Sequence, residues 1–295
     1  MNNTNVQQWS GQSRGGRWGY LFFVHAIKWL GLGFAYSVLS MVVIYFIPFA
    51  PKATAAIWRY CRERRGLGKF RSIIELYRHY YIFGQTLIDR ITLRAGLVNR
   101  YNFIFDNYDR FIEIINGQQG VVMIGAHVGC WEAGSAFFGK YGKKINIVMY
   151  DNEHTEIKEV LKENCEHGNN FKIIAVNQDP LNLILKIKEA LDKGEYICFN
   201  GDRYMNAKET FPVEFMGASA LMPSGPFKIA AKCRMPVVFY YAMREPNRTY
   251  RFIFTEAHVE HNKPGILLEQ YIESLENLLE RYPRQWFNFY NFWTV

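Results

Sequence analysis

The stretch Gly120–Gly134, reading Gly-Val-Val-Met-Ile-Gly-Ala-His-Val-Gly-Cys-Trp-Glu-Ala-Gly, most constrains the fold. Val121–Ile124 is a short unbroken apolar run, the pattern of a strand buried on both faces, and such strands belong to parallel sheets with helices packed on each side. Gly125-Ala126 lets the backbone turn tightly before His127. His127 is thus expected at the exit of a buried strand. From Gly129 onward the residues suit a helix, with Trp131, Ala133, Ala136, Phe137 and Phe138 supplying apolar faces, which puts Glu132 in its first turns.

His127, four residues and Glu132 form an HX4E pattern. Five helical steps separate two side chains by roughly 140° about the axis, so a His and a Glu inside one helix would splay apart. With His127 on the loop before the helix, its ring can fold back. Glu132 would then accept the proton on one ring nitrogen and leave the other as a general base. The plain alternative is a histidine satisfied near a helix start, with Glu132 favoured by the helix dipole.

The 295 residues suffice for one large α/β domain with an N-terminal appendage. Aromatic residues make up 17% of the chain, a bias that suits work at a lipid interface or an aromatic-rich core. A net charge of +8 favours anionic partners: phospholipid headgroups, an acidic carrier protein, a phosphorylated substrate or nucleic acid. No reader motif supports nucleic acid. The five cysteines are scattered without a CxxC pair and read as reduced packing residues, Cys130 included. No metal site is expected, because the histidines do not cluster with them at ligand spacing. Neither a Walker A loop nor a GxGxxG turn is present, and no cofactor is expected.

Residues 1–19 read as a flexible basic leader. Residues 20–50 read as a hydrophobic anchor: Trp29–Ile47 holds 19 residues without a charge, enough to span a bilayer or lie deep in one leaflet. The heavier basic block follows it, at Lys52, Arg59, Arg62, Arg64 and Arg65, so the catalytic portion, residues 51–295, is expected on the cytoplasmic side of the cell inner membrane. An apolar helix packed on the domain is the alternative.

Phe70–Ala95 has the spacing of a long amphipathic helix through Ile73, Ile74, Tyr77, Tyr80, Tyr81, Leu87 and Ile88. Beyond it, strand patterns alternate with helical ones. Strands are expected at 101–105, 121–124, 145–150, 171–176, 196–199, 237–242 and 251–255, and helices at 109–116, 130–140, 153–166, 181–193 and 225–232. The fold class is α/β: a mainly parallel mixed sheet with helices on both faces, plus the N-terminal hydrophobic, membrane-associated helix, and a site at the carboxyl ends of the strands.

A second strand end reads Cys198-Phe199-Asn200-Gly201-Asp202-Arg203, where Gly201 permits a turn and Asp202 and Arg203 are candidates for binding substrate or each other. In Met222-Pro223-Ser224-Gly225-Pro226, Ser224 is placed to cap the following helix. It lacks the GxSxG context of a nucleophile.

Gly-Ala-His127-Val-Gly-Cys-Trp-Glu132, Gly201-Asp202-Arg203, the run Gly225–Val238 and Pro283-Arg-Gln-Trp-Phe-Asn-Phe289, in that order, resemble the lysophospholipid acyltransferase superfamily. More narrowly, residues 20–293 resemble the bacterial lipid A late acyltransferases, the lauroyl and myristoyl transferases. The resemblance implies direct transfer of a fatty acyl chain from acyl carrier protein or coenzyme A to a hydroxyl of a lipid acceptor such as a lipid A precursor. His127 and Glu132 would be catalytic, Gly201, Asp202, Arg203 and Ser224 would bind substrate, and backbone N–H groups after His127 would hold the oxyanion. One departure bears on the acceptor. Where the lipid A enzymes commonly carry an arginine, this chain reads Met149-Tyr-Asp-Asn-Glu153. Acceptors of other bacterial lipid or aryl polyene systems therefore stay open. So do a non-catalytic lipid-binding protein and a metal-dependent hydrolase.

Overall fold

The computed structural model describes residues 17–134, 144–149, 171–176 and 180–293. The helix expected over 153–166, the strand exit 150–153 and the leader 1–16 lie outside them. The chain divides into two compact units: residues 1–100, 212–221 and 279–295 form one, and residues 101–211 and 222–278 the other. The boundary expected after residue 50 falls inside the first.

The second unit holds a seven-stranded sheet of β1 (Asn102–Asp106), β2 (Val121–Gly125), β3 (Ile145–Met149), β4 (Phe171–Ala175), β5 (Tyr196–Asn200), β8 (Val237–Glu245) and β9 (Thr249–Ala257), in the order β1-β9-β8-β2-β5-β3-β4. All pairs are parallel except the β8–β9 hairpin. Seven expected strands are thus present, the last two longer than their apolar runs indicated. Every residue of β3, the first four of β2 and the first seven of β8 are buried, so both faces of the sheet are covered. The edge strand β1 alternates exposed and half-buried residues. Helices α4 (Tyr108–Asn116), α5 (Pro180–Asp192) and α6 (Gly225–Cys233) lie where helical patterns were read, and α7 (Pro264–Arg281) is additional.

Two elements differ from expectation. The segment after His127 forms a 3₁₀ turn, Trp131–Gly134, rather than the start of an α-helix, and residues 135–143 lie outside the description. Residues 210–223 form a hairpin of β6 (Thr210–Phe215) and β7 (Ala218–Pro223), turned at Met216-Gly217, both with positive φ. Its strands mix polar and apolar residues too irregularly for period-two reading.

The first unit begins with α1 (Arg17–Phe49), α2 (Pro51–Arg59) and α3 (Lys69–Arg94). Within α1, Gly31 has φ 83° and ψ 171°, a region reserved for glycine, and breaks the helix there. Trp29–Phe49 is long and apolar enough to cross a membrane, and only 22% of it is buried.

The inward face of α3 mixes polar and apolar residues, with Leu76, Tyr80 and Ile88 buried among them. Ser72, Glu75, His79, Asp89 and Thr92 are buried, whereas Phe70, Ile73, Ile74 and Leu87 are exposed. Glu75 accounts for much of this. Its carboxylate accepts hydrogen bonds from Arg284 Nε and a terminal guanidinium nitrogen (2.7 and 2.8 Å) and from Arg65 (3.1 Å). Burial by itself raises the Glu75 carboxyl, but these two arginines overcome it and hold the group at about 2. Trp286, fully buried, meets Tyr60 and Phe215 edge-on, and the Trp293 indole donates to the Phe215 carbonyl at 2.9 Å. Much of the aromatic bias is therefore spent on this core, and Pro283–Phe289 is a packing block.

Replacing Glu75 by Gln strands two arginine charges and should lower the unfolding free energy by about 3 kcal/mol, measured by denaturant unfolding in detergent. The folded Glu75 carboxyl lies below its ordinary value of 4.5, so its stabilisation is complete above that pH and fades as pH falls toward about 2. The Gln variant should lose that part of the acid dependence.

Candidate active site

β2 is central, hydrogen-bonded to β5 on one side and to β8 on the other. Its parallel register with β5 pairs Gly125 with Asn200. Two residues further along each strand are His127 and Asp202. Parallel strands end on the same side of the sheet, so the register alone delivers the imidazole and the carboxylate to one point.

They meet there in two hydrogen bonds. The His127 backbone N–H donates to Asp202 Oδ2 at 2.9 Å, and ring Nδ1 lies 2.7 Å from Oδ1. Asp202 is 1% exposed, while the His127 side chain keeps 21% of its surface open. Burial pushes the Asp202 carboxyl up, but the His127 ring, both hydrogen bonds and the Arg203 charge outweigh it and hold the group at about 2. The carboxylate is therefore ionised in use and accepts the proton of Nδ1. Nε2 is left as the basic nitrogen. The Asn200 side-chain nitrogen lies 3.5 Å from Nε2.

Backbone packing holds the loop rigidly. Gly201 N–H donates to the Gly125 carbonyl at 2.8 Å, and the same carbonyl accepts from the Tyr271 hydroxyl at 3.0 Å. A Cβ on Gly201 would lie 2.8 Å from Tyr271 Cζ and 3.0 Å from Ile124 Cγ2. Gly129, at φ 53°, passes so close to β8 that a Cβ would sit 2.0 Å from the Ala242 carbonyl oxygen, which accepts from Cys130 N–H at 2.8 Å. These two glycines are demanded by close approach.

The surroundings of the expected site residues differ from one to the next. The carboxylate at Nδ1 is Asp202, in the place the HX4E spacing assigned to Glu132. Glu132 stands in the Trp131–Gly134 turn, with its side chain outside the described residues. Asp202 is buried, with its carboxylate on the His127 ring and backbone N–H. Gly201 contributes backbone, and Arg203 is half-buried with its charge felt at Asp202. Ser224 occupies the N-cap position of α6 with helical backbone angles and no side-chain cap, and is buried. The oxyanion donors expected after His127 are largely committed: the N–H groups of His127, Val128 and Cys130 donate to Asp202, Ala126 and Ala242. Asn200 is the residue sequence reasoning left without a role. Its signal was its position before Gly-Asp at a strand exit.

Among the described residues, no three His, Cys, Asp or Glu side chains gather to hold a metal ion. The Cys198 thiol is pushed up to about 12 by burial.

A model of the bacterial lipid A biosynthesis acyltransferase family matches residues 75–294, from the second turn of α3 to the C-terminal segment. The chain belongs to this family. It is an acyltransferase. The match takes in both strand exits that meet at His127 and Asp202, together with Glu75 and Arg284. Among solved structures, the 1-acyl-sn-glycerophosphate (LPA) acyltransferase PlsC of Thermotoga maritima aligns over 85% of this chain and 99% of its own, at 10% identity and a TM-score of 0.37. No curated protein matches the chain.

Replacing Gly201 by Ala in this acyltransferase should force Tyr271 or the β5 exit aside. It should cost about 1–3 kcal/mol in denaturant unfolding and should reduce acyl transfer beyond what that loss of folded protein explains.

Proposed function

We propose that the enzyme transfers a fatty acyl chain from a thioester, carried by acyl carrier protein or coenzyme A, to a hydroxyl of a lipid acceptor resembling a lipid A precursor. The observation that carries this reading is the His127–Asp202 pair, with Nδ1 on the buried carboxylate and 21% of the His127 side chain exposed. His127 Nε2 takes the acceptor's hydroxyl proton. The resulting alkoxide oxygen bonds to the thioester carbonyl carbon, and the C–S bond breaks as the tetrahedral intermediate collapses. The thiolate then recovers a proton from the imidazolium. No covalent acyl-enzyme is needed. The buried Asp202 carboxylate holds the tautomer and stabilises the charged ring as it forms.

The Asn200 amide nitrogen lies 3.5 Å from Nε2, and we assign it to holding the acceptor hydroxyl or the developing oxyanion beside the base. Glu132 takes a supporting role in this scheme, because the position on Nδ1 is filled by Asp202. The enzyme works at the cytoplasmic side of the inner membrane, a placement supported by the apolar α1 and the basic block that follows it.

The test is transfer from labelled acyl carrier protein, and separately from acyl coenzyme A, into lipid A precursors and into total membrane lipid. His127→Ala should abolish transfer, Asp202→Asn should lower kcat by roughly 10²–10⁴-fold, and Asn200→Ala by about 10²-fold. An Asp202→Asn enzyme of full activity beside a dead Glu132→Ala enzyme would return the orienting role to Glu132. Label entering another lipid but no lipid A precursor would move the acceptor to a different bacterial lipid.

A further inference from the structure

The helix α7 has no counterpart in the helical patterns of the sequence, yet one of its side chains reaches the strand ends that carry His127 and Asp202. Tyr271 is fully buried. Its ring meets Phe227 of α6 and Phe239 of β8 edge-on, with centroids 5.2 and 5.5 Å away. That packing fixes the direction of the hydroxyl, which donates to the Gly125 carbonyl at 3.0 Å. Burial, then the charge of Asp202, pushes the phenol well above its ordinary value. It therefore stays protonated and remains a donor.

The acceptor of this bond occupies a particular place. Gly125 and Asn200 are the last paired residues of β2 and β5. The Gly125 carbonyl also takes the Gly201 N–H at 2.8 Å, so one oxygen ties β2, β5 and α7 together. Beyond it the two exits meet in the hydrogen bonds between His127 and Asp202. The Tyr271 ring bears on the second exit as well, since a Cβ on Gly201 would lie 2.8 Å from its Cζ. Around the Asp202 carboxylate stand the His127 ring, Arg203 and the phenols of Tyr241 and Tyr271.

We infer that Tyr271 is a positioning residue for acyl transfer. Through the Gly125 carbonyl it holds the β2 exit where the His127 ring meets Asp202, an inference that rests on the assignment of His127 as the base. A ring locked by packing on two other elements suits that purpose, because a general base must keep its place to within a fraction of an ångström. Without the hydroxyl, the carbonyl keeps the Gly201 N–H but loses its anchor to α7.

Tyr196 supplies the control. It is also fully buried, and its hydroxyl donates to the Ile115 carbonyl at 3.2 Å, but it begins β5, at the end of the strand away from the site. In the full-length enzyme, Tyr271→Phe should lower kcat about tenfold with KM within about twofold of the wild type. Tyr196→Phe should keep the wild-type kcat at a similar loss of melting temperature. A second readout involves no acyl transfer. The low-field NMR resonance of the proton between Nδ1 and Asp202, assigned by its absence in His127→Ala, should move upfield and broaden in Tyr271→Phe and stay in place in Tyr196→Phe. Tyr271→4-aminophenylalanine restores a donor and should work within about threefold of the wild type. A folded aminophenylalanine enzyme as slow as one-tenth of the wild type, about the loss expected of the Phe variant, would overturn the inference even if Tyr271→Phe does not fold. Wild-type kcat with an unmoved resonance in Tyr271→Phe would overturn it too, as would equal losses in the two Phe variants. A wild type that transfers no acyl chain from either thioester would refute the acyl-transfer reading instead, and the resonance would still decide whether Tyr271 positions His127.

Discussion

The pairing of β2 with β5 is the constraint on which the active site depends. Gly125 opposite Asn200 sets His127 opposite Asp202, and a slip of one residue would carry the imidazole to the other face of the sheet. Short backbone hydrogen bonds and two glycines without room for a side chain hold that register at its open end. A carboxylate this deeply buried is tolerated because it accepts two hydrogen bonds from His127 and lies in the field of Arg203. One ring nitrogen of His127 is thereby committed to the carboxylate.

The first unit uses the same kind of pairing for a different end. Glu75 is buried between Arg65 and Arg284, ties the C-terminal segment to α3, and turns the polar side of α3 inward. The break at Gly31 and the close contact at Gly84 allow α1 to follow α3 along part of its length.

Belonging to the lipid A biosynthesis acyltransferase family implies an acyl donor and a lipid acceptor for this enzyme. The sequence blocks divide between the two units: the His127 and Asp202 blocks bring an imidazole and a carboxylate together, whereas Pro283–Phe289 packs the first unit through Arg284 and Trp286.

Local pattern alone determined a good deal about this protein. The apolar runs located all seven strands of the main sheet, because a strand buried on both faces needs side chains that satisfy no partner beyond dry neighbours. His127 at a strand exit, the long α1 and the length of α3 were legible for similar reasons: period and turn residues lie within a few positions of one another. What only the tertiary structure decided involves partners far apart in the chain. Asp202 lies 75 residues from His127 and reaches it through strand register, which no local spacing encodes, so the nearby Glu132 was the carboxylate that sequence could offer. The inward face of α3 was set by Arg284, 209 residues from Glu75. Periodicity shows that a helix has two faces; which one meets protein depends on where the distant countercharge docks.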